Sequence, residues 1–288
     1  MKSKKVLSPQ NLADTIYVKG FLKELFQEIY ALTRRLFVQL IRRPSTLIAG
    51  VVQPLLWLIL FGALFQNAPV GIFSTTNSYV DFLAPGIIVF TAFGGALNAG
   101  LPIIFDREFG FFNRLLTAPL ISRLSIMISS AILISTLSIV QASSIMYFST
   151  IIGIESPNRI GIFLVTFIIL LLTIGITSVS ILLAFLAPGH VELLAVILLL
   201  NLPLLFSSTA LAPLHFMPPW LQIVASLNPL TYAIEPIRCI YLNASSVGGE
   251  YTIENVWGAL YLSSTKQILL VFDFCMLYLL NVVSKRKL

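Results

Sequence analysis

Six stretches of the chain are apolar on every side over a length that matches a bilayer: roughly residues 46–65, 82–105, 124–152, 160–187, 191–211 and 261–283. A helix needs roughly 20 such residues to cross about 30 Å of hydrocarbon at 1.5 Å per residue. The third is long enough to tilt or to extend past the interface. The sixth is the weakest, because Lys266 and Asp273 fall inside it. Backbone groups in lipid must be paired within a helix or around a closed barrel. Barrel strands alternate with period two over about 10 residues. The run IILLLTIGITSVSILLAFL is apolar in all directions, so these segments read as helices.

Ahead of the first span the period changes. Phe21, Leu25, Ile29, Leu32, Leu36 and Leu40 recur every three or four residues, while Lys23, Glu24, Gln27, Arg34 and Arg35 fill most of the other side. That is an amphipathic helix, with its stripe either in the membrane interface or packed on the bundle. Arg42 and Arg43 suit headgroup level, and Pro44 suits the first turn of the next helix, where a missing N–H is no loss. Between the last two spans, HFMPPWLQIVASLNPLTYAIEPIR sets a helix start at Pro219, a break at Asn228-Pro229 and a second short helix. There Glu235 and Arg238 stand at i and i+3, a pairing worth about 0.2–0.5 kcal/mol on an exposed helix. The pattern therefore predicts an all-α integral membrane fold: six transmembrane helices, an N-terminal amphipathic interface helix, and short outer helices before the last span. Residues 1–45 form the N-terminal segment, 46–283 the membrane domain and 284–288 a basic tail.

Composition agrees with a bilayer setting. The chain is 57% apolar and 10% charged, with a mean hydropathy of +0.94, more apolar surface than a soluble fold of 288 residues can bury. A net charge of +6 would fit nucleic acid, but its distribution has another cause. Fifteen of the 18 Lys and Arg residues lie before residue 46, in the loop after the second span (Arg107, Arg114, Arg123) or in the tail (Lys285, Arg286, Lys287). With six spans these segments share one side, and basic loops stay cytoplasmic, or stromal in a plastid. Membrane lipids, not nucleic acid, are the implied partners. No cleavable leader is visible, so the first span is expected to serve as its own insertion signal.

One loop concentrates charge and apolar side chains together. DREFGFFNRLLTAPLISR, residues 106–123, places Phe109, Phe112 and Leu116 on one side of a short helix, with Leu115 adjacent. Aromatics and leucines in such a loop form a surface to be covered by lipid or protein. The segment resembles the loop after the second helix in permease subunits of ABC-2 type transporters, especially those similar to daunorubicin-resistance and nodulation-factor exporters. The shared order is an acidic and basic start, a Gly, a run ending in Leu, then Ala-Pro and Ser-Arg. Here these are Asp106, Arg107, Glu108, Gly110, Leu115, Leu116, Ala118, Pro119, Ser122 and Arg123. LNPLTYAIEPIR, residues 227–238, is similar to the Asn-Pro segment before the family's last helix. LTRRLFVQLIRRPSTLIAGVVQPLLWLILFG, residues 32–62, is similar to its entry helix and Pro-containing first span.

The resemblance implies a six-helix permease that works as a dimer with two copies of an ATP-binding subunit. It implies that this subunit meets the helix before the first span, with Phe21, Leu25, Ile29, Leu32 and Leu36. It also implies a coupling loop of Asp106, Arg107, Glu108, Gly110, Phe112, Arg114, Leu116, Pro119 and Arg123. ATP and Mg would then sit on the partner, with no cofactor bound by this chain. The family also implies that the segment before the last span dips into the membrane and helps close the exit; from the residues alone, an interfacial helix pair serves equally.

Other chemistry finds little support. A phosphate-binding loop needs Gly-x-x-x-x-Gly-Lys-Ser/Thr, and no Lys follows Gly94-Gly95 or Gly248-Gly249 in that way. His190 and Glu192, in the turn APGHVE, are too few for a metal site, and His215 stands apart. Cys239 and Cys275 lie on different segments, so neither a disulfide nor an activated thiol is expected. The chain is read as a non-catalytic subunit without a metal. Gln53, Asn98, Gln141, Asn201 and Asp273 lie among apolar neighbours, and such residues face protein or a water path. Gln53, Asn98, Asn201 and Asp273 are the candidate path-lining residues. A scaffold without transport and an ion-coupled carrier stay open as other readings; for the carrier, Asp273 is the one hint. The Ile-, Leu-, Ser- and Asn-rich composition fits an AT-rich genome, hence a plastid or bacterial inner membrane.

Overall fold

The computed structural model describes residues 9–42, 44–66, 78–110, 124–241, 252–255 and 258–287. The chain begins with α1 (Pro9–Ile41) and α2 (Pro44–Leu64). Next, α3 (Tyr79–Leu97) runs through one 3-10 turn, Asn98–Gly100, into α4 (Leu101–Glu108). The long helices α5 (Leu124–Ile151) and α6 (Arg159–Leu186) follow, then the shorter α7 (His190–Phe206). Two short helices, α8 (Pro219–Leu227) and α9 (Pro229–Tyr241), break at Asn228-Pro229 as the sequence predicts. A small antiparallel hairpin, β1 (Thr252–Asn255) and β2 (Gly258–Tyr261), leads into α10 (Leu262–Lys287).

Five of these segments are long and apolar enough to cross a membrane: Leu47–Leu64, Tyr79–Glu108, Ser125–Ile151, Arg159–Leu186 and Ser264–Ser284. The expected span at 191–211 is shorter. Its helix, α7, stops at Phe206 after 17 residues, a rise of about 25 Å. The cause is local. Ser207, Ser208 and Thr209 offer the backbone alternative partners: the Ser208 hydroxyl donates to the Leu205 carbonyl at 2.6 Å and accepts from the Ala210 N–H at 3.3 Å. The segment then turns back instead of continuing outward.

The helix at the centre is α3, packed against α2, α5, α6 and α9. Every residue from Phe82 to Phe93 is buried, as a helix apolar on all faces requires. Its small residues permit close approach; a Cβ on Gly86 would lie 2.8 Å from the Ala210 carbonyl oxygen. The 3-10 turn also has a physical cause. Pro102 has no N–H to continue the helical ladder, and Ser180 of α6 fills the gap. Its hydroxyl donates to the Leu97 carbonyl at 2.5 Å and accepts from the Gly100 N–H at 2.9 Å.

The stripe of α1 faces the bundle. Leu36 is buried, while Leu25, Ile29 and Leu32 are half-buried, and α1 packs along α5. The outward face instead carries Phe26, Tyr30, Val38 and Ile41 among Lys23, Arg34 and Arg42. Leu36→Glu should therefore release α1 from α5, since an unpaired charge cannot be buried there. Limited proteolysis in detergent checks this: faster cleavage between α1 and α2 is expected, and an unchanged pattern would mean that α1 does not depend on its stripe.

Candidate functional site

Three successive residues at the end of α4 each hold a different element. Asp106 accepts from Arg35 of α1 at 2.6 Å. Arg107 reaches the turn between α6 and α7, donating to the carbonyls of Ala184 (3.2 Å), Ala187 (2.5 Å) and Pro188 (3.1 Å). Glu108 accepts from the backbone N–H of His190 at 2.6 Å and pairs with its Nδ1. The His190 ring also lies 5.2 Å from that of Phe105.

This arrangement matches charge to helix ends. The last carbonyls of α6 carry partial negative charge and receive a guanidinium; the first N–H groups of α7 carry partial positive charge and receive a carboxylate. Gly189 makes room for the carboxylate: a Cβ there would lie 2.9 Å from Glu108 Oε1 and 2.7 Å from Glu192 Oε2. Beneath the joint, Ile103, Met127, Ile181, Phe185 and Leu280 form a separate apolar cluster joining α4, α5, α6 and α10. The joint lies at the end of the bundle where the basic residues of α1 collect.

Of the predicted coupling loop, Asp106, Arg107 and Glu108 turn toward the bundle. Beyond them Phe109 is 80% exposed, and Gly110 has φ +73°, a left-handed conformation that glycine adopts without strain. Phe112, Arg114, Leu116, Pro119 and Arg123 lie outside the described residues, as does the side chain of Phe21. In the sequence His190 counts only as one of too few metal ligands; its partner stands 82 positions away in the chain. Among the described residues, no three His, Cys, Asp or Glu side chains come together as a metal site would need.

The four polar span residues separate. Gln53 is exposed on α2, and Asn98 is exposed with its amide donating to the Gly94 carbonyl at 2.7 Å. Asn201 is half-buried. Asp273 is buried in the seam between α6 and α10, where Gly175 opposes it, and among the described residues its Oδ1 has no hydrogen-bond partner.

The opposite end of the bundle holds a second constellation. Arg238 of α9 is 4% exposed and pairs with Glu235. It also donates to the Thr209 carbonyl at 2.6 Å and to that of Phe82 at 3.3 Å. Its guanidinium lies 3.7 Å from the centroid of the Phe82 ring. Nearby, the Tyr79 hydroxyl donates to the Leu211 carbonyl at 3.3 Å. The pair foreseen at i and i+3 is thus present but buried, because α9 enters the bundle instead of lying on it.

Comparisons with known proteins point one way. The family pattern for the ABC-2 type transporter matches residues 27–242. A protein of Porphyra purpurea, provisionally named transport permease ycf38, is 53% identical over 287 residues, covering 99% of this chain and 98% of the relative. A like-named protein of Cyanophora paradoxa is 55% identical over 259 residues, 90% of this chain and 89% of its own. More distantly, the daunorubicin resistance ABC transporter permease protein DrrB1 of Streptomyces coeruleorubidus is 23% identical over 197 residues, 68% of each chain.

Proposed function

This chain belongs to the ABC-2 type transporter family, and from that premise we propose that it is the membrane subunit of an exporter powered by a separate ATP-binding subunit. Two copies of the permease pair in the membrane and form the path for a lipid, glycan or drug-like substrate. The ATP-binding subunit docks at the basic end, on the outward face of α1 and the segment beyond Glu108. By the distribution of basic residues this end is cytoplasmic or stromal, in a plastid membrane or a bacterial inner membrane. ATP and its Mg stay on the partner.

The observation that carries this reading is the joint at 106–108. It ties α1 to the loop segment and both to the bundle, so a force applied at either place reaches the spans. The exposed amide of Gln53, on a face of α2 with Val52, Leu56, Ile59 and Leu60 exposed, supports pairing of two copies: an amide at membrane depth faces protein or water in preference to lipid.

The test is a charge swap on the purified complex. Arg35→Glu should leave the ATP-binding subunit bound through the loop, yet lower permease-dependent ATP hydrolysis roughly tenfold, a loss of about 1.4 kcal/mol. Adding Asp106→Arg should restore much of it. If no ATP-binding subunit co-purifies with the wild-type chain, the reading fails. If Arg35→Glu hydrolyses ATP like wild type, the role of the joint fails.

A further inference from the structure

We infer that α7 is a strut that carries motion from the 106–108 joint to the α8–α9 hairpin, with His190 and Asn228 as the positioning residues at its two ends. This rests on the reading that ATP drives the basic end.

The strut is fixed at both ends and only weakly gripped between them. At its first residue, Glu108 holds the backbone N–H and Nδ1 of His190, while Arg107 holds the carbonyls just before it. At its last turn, Asn228 donates to the carbonyls of Leu204 (2.8 Å) and Ser207 (3.2 Å), and its Oδ1 accepts from the Leu230 N–H at 3.0 Å. One buried side chain therefore joins the end of α7 to the start of α9. In between, among the described residues, no side-chain hydrogen bond ties positions 194–203 to another helix. Leu194, Leu198, Leu199 and Leu202 are exposed.

These restraints act in different directions. Sliding an apolar helix face against its neighbours breaks no directional bond, whereas moving either end away from its partners leaves paired polar groups without partners, which is the costlier motion. A helix of 17 residues is a stiff body of about 25 Å. A displacement at Glu108 is then delivered along the axis to Asn228. From there it loads α9, whose other end Arg238 holds against α3. Discrete, hydrogen-bonded ends on a rigid element are what coupling between distant sites requires.

The experiment uses the complete complex in lipid nanodiscs, which leave both membrane faces open to reagent and ATP, with Cys239→Ala and Cys275→Ala. Two reporters are introduced separately: Gln27→Cys on the exposed face of α1, and Leu227→Cys at the exposed tip of α8. Each is labelled with a membrane-impermeant thiol reagent, with and without ATP plus vanadate. In the otherwise unchanged chain both rates should shift, roughly tenfold if a local opening changes by one decade in population. With His190→Ala, which keeps the backbone N–H bond to Glu108 but loses the Nδ1 pairing, the Gln27→Cys shift should persist and the Leu227→Cys shift should fall severalfold. His190→Asn, which can still donate to Glu108, should keep both. Gly189→Ala, which crowds Glu108 from its seat, should act like His190→Ala and serves if that variant does not assemble. A Leu227→Cys response that is undiminished in both His190→Ala and Gly189→Ala, or is missing at the outset while Gln27→Cys responds, overturns the strut. A Gln27→Cys that never responds overturns the docking of the ATP-binding subunit itself.

Discussion

Arg238→Ala should be among the most damaging single changes in the chain, lowering stability by about 3–5 kcal/mol. The residue is nearly fully buried, and its guanidinium satisfies a carboxylate and two carbonyls from three different segments. Truncation leaves Glu235 charged in a site without its partner, and the carbonyls of Phe82 and Thr209 without a donor. The cost comes from what is left unpaired, which separates this site from a surface ion pair of about 0–1 kcal/mol. Two companion variants test that account. Arg238→Lys keeps the charge but cannot span the three acceptors or lie flat on Phe82, so it should recover only part of the loss. Replacing both partners, as Arg238→Met with Glu235→Leu, should cost much less than Arg238→Ala, because no charge then remains buried. Denaturant titration in detergent measures all three; a single variant as stable as wild type, or a double variant worse than the single, would rule out the buried clamp.

That prediction inverts what the sequence suggests about the same two residues. The spacing of Glu235 and Arg238 shows that they can meet, but their worth depends on burial, and burial depends on where α9 goes after Asn228-Pro229. The spans were legible because a run of apolar residues on all faces has few alternatives in lipid. The period of the α1 stripe was legible for a similar reason, yet hydrophobic spacing alone does not say whether lipid or α5 covers it. Least legible was the joint. Asp106, Arg107 and Glu108 are plainly charged and clustered, but their partners lie 71 to 82 positions away in the chain. His190 gives no local sign that it opens a helix against a glutamate. The end of α7 at Phe206 is not legible in the sequence, because a serine-rich turn in a long apolar stretch reads as more span, and only the fold brings Asn228 to its carbonyls.

Two glycines that look alike in the sequence show the same gap between pattern and packing, and they set the second large effect. Gly94 and Gly100 both lie on the α3–α4 segment. A Cβ on Gly94 would meet nothing within 4 Å, whereas one on Gly100 would lie 2.5 Å from the Ser180 carbonyl oxygen and 2.9 Å from the Ala184 Cβ. Gly94→Ala should therefore be neutral or stabilising, by up to about 1 kcal/mol from helix propensity. Gly100→Val should cost at least about 1–3 kcal/mol, since it must push α6 away as a backbone. The harm does not end at the contact. Parting α6 from the 3-10 turn breaks the two bonds of Ser180, and Ala184, one turn on, supplies a carbonyl to Arg107. Gly100→Val should thus lose both thermal stability in detergent and the permease-dependent part of ATP hydrolysis, while Gly94→Ala keeps both. Equal behaviour of the two variants would mean that α3 and α6 do not meet this closely, and that the joint is not seated on their contact.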